Sequence, residues 1–358
     1  MSAPDFAVVG GGIAGCSLAA LLAEAGASVR LYEREAIAVA ASGRNSGVLQ
    51  HPLDEALVGV HERSLALYRE LGHGFAFPDA PVGVLVVGEG LEEECAQLAA
   101  RFPEVAAEMV DPVALEPSLA PDLRGYRLET GRPVPPGAAA PAFAARAQAA
   151  GAELRVGEAV AAVSARGVTV AGGVDEPAGA VVVACGPWTP ALAGAEVPIA
   201  PLWGVNLEVR LAAPPRHVVE QAGIEALTSA GGGPASAFSI VTAGGVSAVG
   251  STFLAEPPDP DAIAPVLLER GARFLPALRE PGAVAARACP RPQSADGRPL
   301  LGPLESGVWV LSGHGAWGLS LGPGSAELVA DALLGRGDAI APELAARRFY
   351  HAPATSDS

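Results

Sequence analysis

Three glycines near the start of the chain, Gly10, Gly12 and Gly15, have the spacing GxGxxG. The first permits a tight turn, the second lets the backbone approach a pyrophosphate, and the third lets a helix and a strand pack closely. Glu33 follows about twenty residues on, where a carboxylate accepts a hydrogen bond from a ribose hydroxyl. The pattern predicts a dinucleotide site; the alternative is a glycine-rich loop that only turns the chain. The other contacts predicted for this site are Ile13, Ala14 and Arg34.

Three later stretches supply small residues and backbone N–H groups of the kind that hold the rest of such a cofactor. They are the polar loop 41–48, the buried strand and turn 181–188, and the glycine-rich turn 313–322, which leads toward a helix. The last would aim helix N-terminal N–H groups at a flavin and stabilise its anionic reduced ring, which favours FAD over NAD. The contacts predicted for this cofactor are Ala41, Ser42, Asn45, Ser46, Gly47, Val160, Ala184, Gly186, Trp188, Gly313, His314, Gly315, Gly318, Leu319 and Ser320.

The composition is that of a globular protein and narrows its chemistry. Half of the 358 residues are hydrophobic, and the formal net charge is −16. All 23 basic residues are arginine, so no lysine can form a Schiff base or act as a general base, which excludes PLP chemistry. A nucleic-acid partner is not expected, because the chain has no basic stripe to bind phosphates.

The four cysteines, Cys16, Cys95, Cys185 and Cys289, are scattered and form no CxxC pair. We therefore expect no disulfide framework and no metal site, and we expect a reducing cytoplasm as the location. No basic stretch precedes the first strand, so we expect no signal peptide. No apolar run approaches the roughly 20 residues that a membrane span requires.

The elements that must position these residues alternate between two patterns. A strand at 5–9, a helix at 13–25 and a strand at 28–32 form a βαβ unit, whereas 204–211, 237–242 and 245–252 alternate like antiparallel strands. The predicted fold class is α/β: a doubly wound, Rossmann-like nucleotide domain with a mixed, largely antiparallel β-sheet substrate domain. We predict discontinuous domains. The nucleotide domain takes residues 1–79, 133–200 and 285–352, and the substrate domain takes 80–132 and 201–284.

The order of motifs resembles a known family. After GxGxxG and Glu33 come SxxNSG at 42–47, AxGxW at 184–188, RPxSxDGxPLxG at 291–302 and GHGxWGLS at 313–320. This order is similar to that of the D-amino-acid oxidase, glycine oxidase and sarcosine oxidase superfamily, over almost the whole chain. The resemblance implies extended FAD beneath a mixed-sheet substrate domain.

The resemblance also implies a substrate site. Arg291 stands where amino-acid-oxidising members hold the substrate carboxylate, for which a planar, bidentate guanidinium is suited; the alternative is an arginine that fixes the turn at Asp296. Trp317 stands where D-amino-acid oxidase has an aromatic residue, and it either lines the substrate cavity or simply packs. Trp203 occupies a position that often borders the active site.

Three further residues, His51, His314 and Cys289, are candidates for contacts with the flavin or the substrate. His51 follows a loop that passes over the flavin by resemblance, so it would orient or deprotonate the substrate ammonium, or face solvent as a loop histidine. His314 we expect to contact the cofactor through its backbone. Cys289 has the spacing of the cysteine that sarcosine oxidase links to its flavin, but its neighbours differ, so we expect an inert thiol and non-covalent FAD.

The function we predict is oxidation of the Cα–N bond of a small amino acid or N-alkyl amino acid. Hydride passes to flavin N5, and O2 or another acceptor takes the electrons. The substrate is a small molecule that carries a carboxylate. Three alternatives stay open at this point: a 2-hydroxy-acid or amine dehydrogenase that passes electrons to a quinone, an NAD-linked dehydrogenase, and a non-catalytic FAD-binding protein.

Overall fold

The computed structural model describes residues 3–71, 75–223, 236–337 and 339–350. Its strands are β1 (Phe6–Val9), β2 (Val29–Glu33), β3 (Val48–Leu49), β4 (Val84–Gly88), β5 (Glu108–Val110), β6 (Arg124–Leu128), β7 (Arg132–Pro133), β8 (Glu153–Val156), β9 (Val160–Ser164), β10 (Gly167–Val170), β11 (Val174–Pro177), β12 (Ala180–Val183), β13 (Ile199–Val209), β14 (Val218–Gln221), β15 (Ser236–Ala243), β16 (Val246–Thr252), β17 (Val284–Ser294), β18 (Leu300–Pro303) and β19 (Trp309–Ser312).

The helices are α1 (Ile13–Glu24), α2 (Glu55–Glu70), α3 (Glu92–Arg101), α4 (Pro112–Leu115), α5 (Ala139–Ala149), α6 (Thr189–Ala193), α7 (Pro260–Gly271) and α8 (Gly318–Leu333). Short 3₁₀ turns cover Pro103–Val105, Gly186–Trp188, Pro276–Arg279, Gly315–Trp317 and Ala346–Phe349. Among the described residues, no helix has both the length and the apolar character needed to cross a membrane.

The chain divides into two compact units. The first takes Met1–Val39, Ala140–Ala200 and Pro292–Ser358, and the second takes Ala40–Ala139 and Pro201–Arg291. The first contains a six-stranded sheet in the order β18-β19-β12-β1-β2-β8, in which only β18 runs antiparallel to its neighbour. The second contains an eight-stranded mixed sheet. The predicted fold class is confirmed.

The parallel sheet of the first unit is built from short apolar strands. Val8 of β1 pairs with Val182 of β12 on one side and with Leu31 of β2 on the other, and all three side chains are fully buried. Continuous apolar runs of this kind are typical of parallel strands that are covered on both faces. β1 therefore lies in the interior of the sheet, and the glycine loop begins directly at its carboxyl end.

Helix α8 begins at Gly318 and continues through Pro323, whereas the glycine-rich turn that leads toward this helix was expected to extend to residue 322. The prediction was wrong because it gave local propensity too much weight. Gly322 faces Ile13 of α1, and a Cβ at Gly322 would lie 3.1 Å from Ile13 Cγ2. Close packing between two helices therefore favours a helical conformation in a segment rich in glycine and proline.

The second unit has the strand order β17-β13-β16-β15-β14-β4-β6-β5. On one face, buried side chains such as Leu207, Ile240 and Val249 pack against Leu267 of α7, and together they form an apolar core. The opposite face carries polar residues such as Asn206 and Ser239 on its central strands, and a second apolar cluster that includes Val84, Tyr126 and Val241.

Residues 40–79 belong to the second unit, although the sequence assigns them to the nucleotide domain. The cause is apolar packing, since Val48, Leu53 and Val58 pack against the buried Val84 and Tyr126 of that unit. Residues 133–139 and 285–291 fall in the second unit as well. Which segments serve the nucleotide and which serve the substrate stays a prediction.

Candidate active site

The glycine loop of the first unit is shaped by backbone contacts that no side chain would allow. Gly10 has φ +117°, and a Cβ there would overlap the carbonyl oxygen of Ala184. A Cβ at Gly15 would overlap the carbonyl oxygen of Gly10. The loop, the start of α1 and the turn after β12 are therefore in backbone contact, so Gly10, Gly15 and Ala184 lie together. Their contacts with a cofactor stay predictions.

Helix α1 begins after Gly12, and no side chain caps that end of the helix. Ile13 and Ala14 form its first turn, which contains no acidic residue that would repel an anion. The N-terminus of a helix combines unpaired N–H groups with the positive end of the helix dipole. This end of α1 is therefore suited to phosphate groups.

Glu33 ends β2 beside the glycine loop. Its Oε2 atom accepts a hydrogen bond from the N–H of Gly11 at 2.7 Å, and its Oε1 atom accepts one from Glu35 at 2.9 Å. The next residue, Arg34, lies over the ring of Trp188 at 4.3 Å from the ring centroid. The first unit therefore groups Glu33, Arg34 and Trp188 around one loop. Their contacts with a nucleotide stay predictions.

The turn that contains Gly186 lies beside this loop. Gly186 has φ +55°, and the thiol of Cys185 donates to the carbonyl oxygen of Val9 at 3.2 Å. Burial raises the pKa of the Cys185 thiol to about 12, so it stays protonated. Val160 begins β9 and packs partly buried against the same core as Val9. Cys185, with its protonated thiol bonded to the backbone, is therefore a small structural residue.

The polar loop 41–47 lies in the second unit and is held by Asn45. Its Nδ2 atom donates to the carbonyl oxygens of Ser42 at 2.8 Å and Ala41 at 3.2 Å, and its Oδ1 atom accepts from the N–H of Gly47 at 2.8 Å. The side chain of Asn45 therefore shapes the loop. The polar atoms of the Asn45 side chain are thus used within the loop. Contacts of Ser42, Asn45 or Ser46 with a cofactor stay predictions.

The turn before α8 contains a buried histidine with an unused nitrogen. His314 is 4% exposed, and its Nε2 atom has no hydrogen-bond partner among the described residues. Burial lowers the pKa of His314 to about 4, so the ring is neutral near pH 7. Gly313 and Gly315 flank it with φ +84° and +53°. A buried, neutral donor or acceptor without a partner is typical of a position that contacts a ligand.

Trp317 stands at the cap position of α8 and is partly buried. No side chain caps this end of the helix either, and its first turn contains no acidic residue. Gly318, Leu319 and Ser320 form that turn, in which Leu319 and Ser320 are buried. The N-terminus of α8, like that of α1, therefore has no side-chain cap and follows a glycine turn.

Arg291 is held in the second unit by backbone and hydroxyl groups. Its Nη1 atom donates to the carbonyl oxygen of Thr252 at 2.9 Å, and its Nη2 atom donates to the hydroxyl of Ser251. Its guanidinium lies over the ring of Phe253, 5.0 Å from the centroid. Among the described residues no carboxylate pairs with it, and burial lowers the pKa of Arg291 from its ordinary value. These contacts do not include the turn at Asp296, which pairs with Arg348 instead.

Trp203 lies close to the strand segment that holds Arg291. Its N–H donates to the carbonyl oxygen of Leu254 at 2.7 Å, and its own carbonyl oxygen accepts from the Thr252 hydroxyl at 3.2 Å. Thr252 therefore contacts both Trp203 and Arg291. The structure brings these two predicted residues into one neighbourhood.

His51 does not share that neighbourhood. It is 7% exposed and does not face solvent, and its Nδ1 atom accepts a hydrogen bond from the N–H of Leu53 at 3.3 Å. Its Nε2 atom lies 3.2 Å from Glu104 Oε1, and its ring packs edge-on against Phe102. Burial lowers the pKa of His51 despite the opposing effect of Glu104. His51 is a packed residue whose contacts are not shared with Arg291.

Cys289 is 3% exposed, and its thiol lies 3.8 Å from the carbonyl oxygen of Arg44. Burial raises the pKa of the thiol, although three arginines including Arg291 oppose this shift. A buried, protonated thiol is a weak nucleophile. The environment is that of an inert thiol; whether a flavin is attached here stays a prediction.

Three polar residues on the second unit's sheet, Asn206, Ser239 and Glu220, were not among the residues predicted from the sequence. They lie on different strands but on the same face as the guanidinium of Arg291. The only local signal was a polar residue at alternate positions of otherwise apolar strands. Cross-strand register, which the sequence alone does not reveal, places them side by side.

A comparison with protein families matches residues 5–332 to the family described as "DAO: FAD dependent oxidoreductase". Among curated proteins, a bifunctional tRNA 5-methylaminomethyl-2-thiouridine biosynthesis protein from Nitrosospira multiformis is 35% identical over 107 residues. That stretch is 30% of this chain and only 16% of the relative. The chain thus matches a small part of that relative's length.

Solved structures share the fold over nearly the whole chain. A glycine oxidase from Geobacillus kaustophilus superposes with a TM-score of 0.82 at 24% identity, covering 95% of this chain and 96% of the other. An L-proline dehydrogenase from P. horikoshii superposes with a TM-score of 0.82 at 21% identity, covering 98% of both chains. At these identities the likeness shows the fold.

Proposed function

The chain belongs to the DAO family of FAD-dependent oxidoreductases, and from this premise we propose that it oxidises the Cα–N bond of a small amino acid or N-alkyl amino acid. The observation that carries the substrate class is the buried guanidinium of Arg291, which has no carboxylate partner among the described residues. A buried charge is costly unless it is paired. The carboxylate of a substrate would supply that pair.

The residues of the first unit fit FAD. Gly10 and Gly15 let the glycine loop, the start of α1 and the turn after β12 pack closely, because a Cβ at either glycine would overlap a backbone carbonyl oxygen. The uncapped N-terminus of α1 would hold the phosphates, and Glu33 would accept from the ribose. The uncapped start of α8 and the unpartnered Nε2 atom of His314 fit a flavin edge. When bound, the flavin supplies the hydride acceptor that the protein's own side chains lack.

The protein's contribution is mainly to position the substrate. The two outer nitrogens of Arg291 are already oriented by Thr252 and Ser251, so little side-chain entropy is lost when a carboxylate binds. A substrate fixed at its carboxylate presents its Cα–H in one direction. Positioning of this kind is worth several kcal/mol, on the order of the effect of an intramolecular reaction.

No side-chain base is required by this proposal. The amine need only arrive neutral. Among the described residues, the contacts of Arg291 are with Thr252, Ser251 and Phe253, none of which is a base, and the contacts of His51 are with Leu53, Phe102 and Glu104. Burial lowers the pKa of His314 to about 4, which makes this ring a poor base near pH 7. The imine product would hydrolyse in water to a keto acid and to ammonia or an alkylamine.

The names of the structural relatives support the substrate class as an analogy. They include a glycine oxidase, an L-proline dehydrogenase and an iminodiacetate oxidase, all of which are named for substrates that carry an amine next to a carboxylate. Arg291 would bind the carboxylate of a 2-hydroxy acid equally well. Oxidation of a 2-hydroxy acid or an amine, with a quinone as acceptor, is therefore the second candidate.

An anaerobic bleaching screen tests the proposal. Purified protein is mixed without O2 with D-, L- and N-methyl amino acids and with 2-hydroxy acids, and absorbance is followed near 450 nm. Bleaching by an amino acid supports the proposal, and bleaching by hydroxy acids alone supports the second candidate. A flavin that none of these compounds bleaches would argue for a non-catalytic FAD-binding protein. Admitting O2 afterwards shows whether oxygen is the acceptor.

A further inference from the structure

The polar face of the second unit's sheet contains a continuous cross-strand row. Asn206 of β13 pairs with Gly250 of β16, Gly250 pairs with Ser239 of β15, and Ser239 pairs with Glu220 of β14. Residues that are paired across strands project from the same face of a sheet. The neighbours Val205, Leu207, Val249, Ile240 and Val219 lie in the apolar core on the other face. These four residues, Asn206, Gly250, Ser239 and Glu220, are called the polar row below.

Arg291 lies on the same face as the polar row. A Cβ built on Gly204 would overlap the guanidinium of Arg291, so that group occupies the side-chain position of residue 204. Gly204 and Asn206 are two residues apart on β13, and side chains two apart on a strand share a face. The proposed carboxylate site therefore stands at one end of the polar row.

The centre of the row has an unused acceptor. Asn206 is 3% exposed, its Nδ2 atom donates to the carbonyl oxygen of Arg44 at 3.4 Å, and its Oδ1 atom has no hydrogen-bond partner among the described residues. That oxygen lies over Gly250, where a Cβ would overlap it and would lie 3.6 Å from the Ser239 hydroxyl. The absence of a side chain at Gly250 gives the Asn206 amide oxygen its place beside the Ser239 hydroxyl.

The far end of the row is a carboxylate without a cation. Glu220 Oε1 accepts from Gln50 Nε2 at 3.0 Å, and no Arg or His among the described residues forms an ion pair with it. Burial raises the pKa of Glu220 above its ordinary range. A small cavity adjoins it, lined also by Gln50, Tyr126 and Thr130. The face thus carries an unpaired cation at one end and an uncompensated acid at the other.

We infer that the substrate extends from Arg291 along the polar row and carries a positively charged group at its far end, which pairs with Glu220. This inference rests on the proposed function and specifies its substrate class. Gly204 and Asn206 are about 7 Å apart along β13. Asn206 and Glu220 are three strand spacings, about 14 Å, apart across the sheet. Allowing for the reach of both side chains, the carboxylate and the cation are on the order of 10–15 Å apart. The middle of the substrate donates a hydrogen bond to the Oδ1 atom of Asn206.

A homologous series of N-(ω-aminoalkyl)glycines measures this span directly. Each compound is compared with the N-alkylglycine of the same length, which ends in a methyl group, in holoenzyme turnover and in binding by calorimetry. We expect a preference for the ω-amino compound of about tenfold or more, appearing only in the longer members, in line with a desolvated charge pair. Glu220→Gln is expected to abolish that preference, while turnover of the N-alkylglycines is retained.

The control variant is Glu94→Gln, because Glu94 lines the same cavity from α3 but is outside the polar row. It should leave the preference unchanged. The inference is overturned if amino and methyl tails give equal turnover and binding at every length, or if the preference survives Glu220→Gln. The proposed function stands in either case. If no compound of the series is oxidised, the bleaching screen with D-, L- and N-methyl amino acids decides the proposed function separately. Calorimetry then still decides whether Glu220 selects the ammonium tail.

Discussion

The guanidinium of Arg291 fills the position that a side chain at residue 204 would occupy. Gly204 therefore has a specific function, which is to leave a pocket on β13 for a cation from the neighbouring strand. The sequence around residue 204 gives no sign of this, because a glycine within a strand indicates only that something approaches closely.

Gly204→Ala tests this relationship. The added methyl group should displace the guanidinium from Thr252 and Ser251 and cost about 1–3 kcal/mol, in line with overpacking. We expect a rise in KM for a carboxylated substrate of about 5- to 150-fold. Gly59→Ala is the control, since a Cβ there has no neighbour within 4 Å. An unchanged KM in Gly204→Ala would show that the position of Arg291 does not matter.

Arg291→Ala should weaken substrate binding severely and leave FAD in place. Truncating one member of a buried charge pair costs about 2–5 kcal/mol. Arg291→Lys should recover only part of this, since a point charge cannot form two parallel hydrogen bonds. The measurements are steady-state kinetics and the flavin spectrum. Turnover of carboxylated substrates at the wild-type rate would make Arg291 structural and point to an amine without a carboxylate.

Gly10→Ala should abolish FAD retention. Purified wild-type protein is expected to be yellow and to release FAD, not FMN, on denaturation. Gly26→Ala is a matched control because Gly26 also has a positive φ, +89°, but a Cβ there has no neighbour within 4 Å. Both variants incur backbone strain, and only Gly10→Ala overlaps Ala184. If both variants retain FAD equally, the loop does not hold the cofactor.

Acid precipitation should release the flavin into the supernatant. Cys289 is buried and protonated, which does not favour covalent attachment. The measurement is the partition of 450-nm absorbance between pellet and supernatant. Colour that stays with the pellet in wild type and is released from Cys289→Ser would identify this cysteine as the link.

Stability should fall as the pH is lowered from neutrality toward 4. Burial lowers the pKa of His314 from 6.5 to about 4. Between these two pH values the unfolded chain therefore binds a proton at His314 that the folded chain does not bind. The stabilisation present above pH 6.5 is lost as the pH falls, by about 3 kcal/mol at most. Burial lowers the pKa of His51 too, which adds to the slope. His314→Gln should flatten the dependence of Tm on pH; an unchanged slope would contradict the assignment.

The sequence revealed those parts of the site that are encoded locally. The turn at Gly10, the start of α1 and the acid at Glu33 follow from spacing within one βαβ unit, so the pattern and the structure agree. Arg291 was found through its motif and not through its contacts. Its partners Ser251 and Thr252 are about 40 residues away along the chain, and no local pattern connects them.

The remaining features depend on packing between distant segments. The register that aligns Asn206, Ser239 and Glu220 is set by three strand pairings. His51 does not face solvent, because Phe102 and Glu104 hold it in a buried position, and its role at a flavin stays a prediction. The early start of α8 requires Ile13 of α1 as a partner. Local propensity alone could not anticipate any of these.

The parallel sheet also has a consequence for synthesis on the ribosome. β1 and β2 emerge first, β12 can join them only after residue 183, and β19 pairs with β12 only after residue 312. At about 5–20 residues per second, the apolar edge of β12 stays open for on the order of ten seconds after it is made. An open apolar edge is a template for association with other chains. We therefore expect soluble yield to improve when a chaperone that binds unpaired apolar strands is co-expressed.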